Sequence, residues 1–180
     1  MKPSEIQASF LASRMLILAT NRVSASLDAF SGWLAAGFAA ALALFIANLD
    51  TVSKFVLLGN IKCASVLFLA SALLAIADKL LAAFIAAGTT AATEGAALGK
   101  EIAASGVELD VPAFFSQVER ALFWPLSAFA RRSFANAETG DFGGPGRMYT
   151  KVAQVQVLIV IAQAGLSLAA AIVIVCGLAV

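Results

Sequence analysis

The sequence predicts an all-α integral membrane protein: a transmembrane helical hairpin, a third C-terminal transmembrane helix, and cytoplasmic or interfacial helices between them. Three observations predict it. The 180 residues are 61% hydrophobic and 13% charged, where soluble domains run at roughly 45–50% and 25%. Mean hydropathy is +0.93. Three stretches approach or exceed the ~20 apolar residues that a bilayer crossing requires. A chain this short cannot hide so much apolar surface from water, because too much of it lies at the surface. Lipid is the solvent that fits.

Residues 1–28 read as an amphipathic helix on the cytoplasmic side. Pro3 stands at its start, and Ser4 with Gln7 makes a weak capping box. Gln7, Arg14, Asn21 and Asp28 recur every seven residues, two helical turns apart, and so form one polar stripe. A solvated face explains this stripe; a polar seam between subunits is the sharper alternative. Glu5 and Arg14 interrupt the apolar runs here, so no cleavable leader is expected.

The hairpin occupies 29–79. Its first span, Ala29–Leu49, carries no internal charge. Asp28 either caps it or sits inside one helix running unbroken from the N-terminus. Phe30 and Trp33 would anchor it in an aromatic belt. Gly32, Ala36 and Ala40 have the small-residue spacing that permits close helix approach. The second span is placed at about 56–79. Its uncharged centre, Cys63–Ala77, covers only about 22 Å, so Lys62 on one side and Asp78 with Lys79 on the other belong near the two interfaces.

Residues 80–150 form a cytoplasmic or interfacial segment. Leu80–Gly106 extends the second helix and is expected to fray around Gly88–Gly99. Asp110-Val111-Pro112 starts another helix, with Asp as cap and Pro in its first turn. Phe115, Val118, Leu122, Leu126 and Phe129 give that helix one apolar face, Gln117, Arg120, Ser127 and Arg131 line the opposite face, and Pro125 should kink it. It either lies in the interface or packs on cytoplasmic helices. A fourth span through 113–130 is disfavoured because it would bury Glu119 and Arg120. Residues 135–147 read as a Gly-rich turn. Its GDFGGPG run lacks the lysine of a phosphate-binding loop.

The last span, within 151–180, is uncharged from Val152 to Val180 and follows Arg147, Tyr149 and Lys151. It exceeds what a ~30 Å slab needs and must tilt or protrude. With three spans, ten of the twelve Lys and Arg residues fall on the side holding the N-terminus and 80–150, leaving Lys54 and Lys62 opposite. The N-terminus is therefore expected in the cytoplasm of a bacterial-type inner membrane.

Chemistry is sparse. There is no histidine, which removes the commonest general base and metal ligand. Cys63 and Cys176 lie apart in apolar helical stretches, where they act as small packing residues. With no nucleophile–base pair or metal-ligand cluster, neither an enzyme nor a cofactor is expected. A net charge of +1 offers no general attraction to nucleic acid. The candidate residues are the intramembrane polar groups: Gln156, Gln163 and Ser167 on one face of the third helix, with Asp28, Lys62, Asp78 and Lys79. Buried amides in lipid need partners, as interhelical glue or along a wetted path. The expected function is a homo-oligomer in contact with membrane lipid, a channel or pore-forming effector. The alternative is a non-conducting anchor that binds a cytoplasmic protein partner through 80–150.

Overall fold

The computed structural model describes residues 3–52, 54–106, 110–122, 126–138 and 143–178. They form six helices: α1 (Pro3–Ala47), α2 (Leu49–Val52), α3 (Leu58–Ser105), α4 (Val111–Ala121), α5 (Leu126–Glu138) and α6 (Gly144–Cys176). Among these residues no strand forms beyond one isolated antiparallel bridge, Val56 to Leu178. Gln7–Ala47, Leu58–Ile102 and Gly144–Cys176 are each long and apolar enough to cross a membrane. The all-α expectation with three such helices is met.

Of the two readings of Asp28, the unbroken helix holds: α1 is one helix of 45 residues, about 68 Å long. After Pro3 the next proline is Pro112, so nothing removes a backbone donor along α1. Other boundaries differ from expectation. α3 runs 48 residues without fraying at Gly88–Gly99. The hydroxyl of Thr89 donates to the Ile85 carbonyl at 2.8 Å, and that of Thr93 to the Thr89 carbonyl at 3.1 Å, so these groups fold back on their own helix. The chain leaves α3 at Gly106, whose φ of +70° suits a residue without Cβ.

The helix expected from Asp110 through Arg131 is two helices. Asp110 caps α4 by accepting from the Ala113 amide at 3.0 Å. α4 then ends at Ala121, and Leu122 is extended at φ −104°, ψ 137°. A proline at 125 cannot donate to the carbonyl four residues back, and its ring would strike it. That carbonyl belongs to Ala121. Trp124 and Pro125, where a kink was expected, lie outside the described residues. At 11 and 13 residues, about 17 and 20 Å, neither α4 nor α5 reaches across a ~30 Å slab. The Gly-rich turn shrinks similarly. α5 continues to Glu138 and α6 already begins at Gly144, with Pro145 in its first turn, where a missing donor costs nothing. The third span closes at Cys176 rather than Val180.

The chain divides into two compact units. The first holds residues 1–21 and 85–151. Within it Ser13, Ile17, Thr20, Ile85 and Thr89 are buried. The Thr20 and Thr150 hydroxyls bond at 3.1 Å. Two glycines permit close contact: a Cβ on Gly88 would strike the Tyr149 ring, and one on Gly146 would lie 2.9 Å from the Ser13 backbone. α4 and α5 pack together, and Arg131 Nε donates to Glu119 Oε1 at 2.8 Å. That bond first, and the nearby carboxylate charge second, raise the Arg131 pKa.

The second unit holds residues 22–84 and 152–180. Hydrogen bonds pair Ser24 with Gln156 and Ser31 with Gln163, so α1 and α6 rise together. Asp78 meets Gln156 while Ser71 meets Gln163, so α3 runs against both. At one end the Asn60 amide donates to the Val173 carbonyl at 2.8 Å, and the Leu57 amide to the Gly177 carbonyl at 3.1 Å. A Cβ on Gly177 would press on Asn60 Cβ at 2.7 Å, so a side chain there would displace this seam. Ala64, Ala75, Ala153 and Ala170 are buried, as close helix packing favours. Ala36 and Ala40 are exposed; the predicted small-residue stripe is not the contact face.

Candidate functional site

The polar groups of the second unit gather at two levels of its three helices. Each helix supplies the levels seven residues apart: Ser24 and Ser31 on α1, Asp78 and Ser71 on α3, Gln156 and Gln163 on α6. Seven residues make two turns of an α-helix, so each pair shares a face. All six side chains are 0–2% exposed. Burying that many polar groups is tolerable only if they bond one another.

The level of Gln163 is closed. Ser31 Oγ donates to Gln163 Oε1 at 2.7 Å, and Gln163 Nε2 donates back to the Ser31 carbonyl at 3.1 Å. Ser71 Oγ bonds Ser167 Oγ at 2.8 Å and reaches the Gln163 carbonyl at 3.3 Å.

The level of Gln156 is open. Gln156 Nε2 donates to Asp78 Oδ1 at 2.8 Å and to the Ser24 carbonyl at 3.3 Å. Both partners are acceptors, which fixes the amide with its nitrogen toward them. Three buried oxygens on three helices are then left without a hydrogen-bond partner: Gln156 Oε1, Asp78 Oδ2 and Ser24 Oγ.

Asp28 and Lys79 pair with each other near this level. Lys79 Nζ lies 2.7 Å from Asp28 Oδ1 and donates to the Asp28 carbonyl at 3.3 Å. Their side chains are 31% and 54% exposed, so the pair is not sealed in the core, and its worth is modest. Gly32 leaves room for the lysine: a Cβ there would sit 3.3 Å from Lys79 Nζ.

The structure thus brings together Gln156, Asp78, Gln163 and Ser167 in one core, with Asp28 and Lys79 on its flank. Lys62 is exposed on α3 and joins neither level. Of the N-terminal stripe, Gln7, Arg14 and Asn21 are exposed and Asp28 is half-buried. The buried stripe of α1 is Ser13, Ile17, Thr20, Ser24 and Ser31. Sequence reasoning missed Ser24, Ser31 and Ser71. Their seven-residue match to the glutamine pair was visible, but serine is common enough on exposed helix faces to hide it.

No protein-family model, curated protein or solved structure matches this chain.

Proposed function

We propose that the protein is a multi-pass membrane subunit that conducts no ions by itself and serves as an anchor or scaffold. One observation carries this reading. Gln156, Gln163 and Ser167, the groups best suited to line a pore, bond to Ser24, Ser31, Ser71 and Asp78 of the same chain. The Gln163 amide, bonded through both its oxygen and its nitrogen inside one protomer, has little to gain from facing water, and the Gln156 nitrogen is likewise engaged. The partner-binding element is the α4–α5 pair, where Val111 and Phe114 are 43% and 42% exposed. The excess of Lys and Arg favours an inner membrane with the N-terminus and α4–α5 in the cytoplasm.

The test is electrical. Purified protein reconstituted into a planar bilayer should pass no more current than the empty membrane. Unitary conductance that Gln163→Leu alters would overturn this reading. Cysteines introduced at Lys54 and Arg131, with Cys63 and Cys176 replaced, should be labelled from opposite sides.

A second observation favours a homo-oligomer. On α1, Leu11, Met15 and Leu18 are 60%, 73% and 53% exposed, in the stretch preceding the charge-free span that starts at Ala29. Gln7–Ala47 is longer than a ~30 Å slab needs; if the slab is centred on the charge-free part, these side chains lie beyond it, and a second copy is the simplest cover for them. Subunit counting in native-lipid particles tests this; a monomer there would exclude the oligomer and leave the anchor standing.

A further inference from the structure

The open level has a property that the closed one lacks. Its three unpartnered oxygens, Asp78 Oδ2, Gln156 Oε1 and Ser24 Oγ, come from three helices, and Asp78, Gln156 and Ser24 are 0%, 0% and 2% exposed. With Asp78 ionised, Oδ2 and Oε1 are both pure acceptors, and neither can satisfy the other. The level also carries a carboxylate whose one bond is to a neutral amide. A buried charge of this kind calls for a counter-charge.

None of the neighbouring ionic groups fills that role. On α1 the charged group of this level is Asp28, and on α3 it is Lys79, and these two pair with each other. α6 contributes Gln156 and has no charged residue from Val152 to Cys176. Arg22 on α1 is exposed.

We infer that Asp78, Gln156 and Ser24 form a buried site for one monovalent cation, a proton or an alkali ion. One positive charge neutralises the single carboxylate, whereas a divalent ion would leave an excess charge in the bundle. Hard cations take oxygen ligands, and the level offers three. A proton on Asp78 Oδ2 would turn that oxygen into a donor toward Gln156 Oε1, completing a two-bond acid–amide pair with the existing Nε2 to Oδ1 bond. The only bond made is the O–H bond, with the proton drawn from water and returned to it. This inference does not depend on the anchor reading, since a bound cation requires no conduction.

The sign of the effect follows. A charge bound only by the folded protein stabilises the fold while it is bound. For the proton, the fold weakens as pH rises. For an alkali ion, sodium stabilises the fold relative to choline at the same pH.

The experiment uses full-length protein in nanodiscs of uncharged lipid, unfolded by heat at about pH 6 and about pH 9, in sodium chloride or choline chloride of equal ionic strength. Proton binding predicts a wild-type Tm that falls by about 2–4 °C or more as pH rises, whichever salt is present. Sodium binding predicts a Tm higher in sodium chloride than in choline chloride at the same pH. Asp78→Asn places an N–H where the bound charge would sit, so the variant should fold and lose both responses. A wild type indifferent to both pH and sodium would overturn the site, as would Asp78→Asn keeping the wild-type responses. Should Asp78→Asn fail to fold, the wild type decides by itself. Either an infrared band of one protonated carboxyl disappears as pH rises, or one radioactive sodium ion is held per chain. Absence of both overturns the proposal.

Discussion

The two polar levels of the second unit share a plan and differ in outcome. Each takes a serine from α1 and a glutamine from α6, seven residues apart, and each glutamine donates to the backbone carbonyl of its serine. In the closed level α3 supplies Ser71, and every side chain of that level has a partner. In the open level α3 supplies Asp78, and three oxygens lack one. A hydroxyl can donate and accept, whereas a carboxylate can only accept. Replacing one hydroxyl position by a carboxylate therefore shifts the balance of donors and acceptors in a sealed space. The same repeat yields structural glue at one level and a charge-seeking site at the other.

This contrast can be broken by exchange. Ser71→Asp should have the largest effect, because it buries a second carboxylate beside Ser167 and Gln163, which are neutral and supply no counter-charge. A loss of about 3–5 kcal/mol is expected, the scale for an uncompensated buried charge, read by detergent-denaturant unfolding with helical content as signal. A loss under about 1 kcal/mol would mean that the closed level is wet.

Gln163→Leu comes next. It removes both bonds between Gln163 and Ser31 and leaves the Ser31 hydroxyl unsatisfied. A loss of about 1–3 kcal/mol is expected in the same assay. The damage should appear in folding of the single chain. If subunit association falls while the protomer's unfolding is unchanged, Gln163 faces a neighbour instead.

Asp78→Ser is the converse exchange. It gives the open level the hydroxyl of the closed one, and should leave stability within about 1 kcal/mol of wild type at about pH 9 in choline chloride, where no cation holds the carboxylate. A much larger loss at neutral pH in sodium would mean that the carboxylate is firmly paired there.

Lys62→Leu should be nearly silent, within about 0.5 kcal/mol, since Lys62 is exposed and belongs to neither level. A sharp loss of folded protein would reveal a buried acidic partner.

Much of the architecture was legible from local chemistry. Long charge-free runs announced three apolar helices, and Asp110 ahead of Pro112 announced the start of α4. Pro125 suggested only a kink in that helix, whereas α4 ends at Ala121 and a separate helix follows. The misreadings share a cause. Gly88 read as a point of fraying and Gly146 as part of a turn, because glycine weakens isolated helices. Here they are contact points for Tyr149 and Ser13, and such contacts are formed by residues 61 and 133 positions away in the chain.

By itself the sequence determined which segments are apolar and helical, and which polar groups sit within them, because helix formation and transfer out of water depend on composition and short-range spacing. It also showed that Gln156, Gln163 and Ser167 share a face. Only the tertiary structure decided what that face meets. Helical periodicity sets a residue's angle around its own axis, but not which neighbour lies across from it. Pairing Ser31 with Gln163 and Asp78 with Gln156 required α1 and α6 to run together against α3, in one axial register. That register made one level complete and left the other with a carboxylate still seeking its charge.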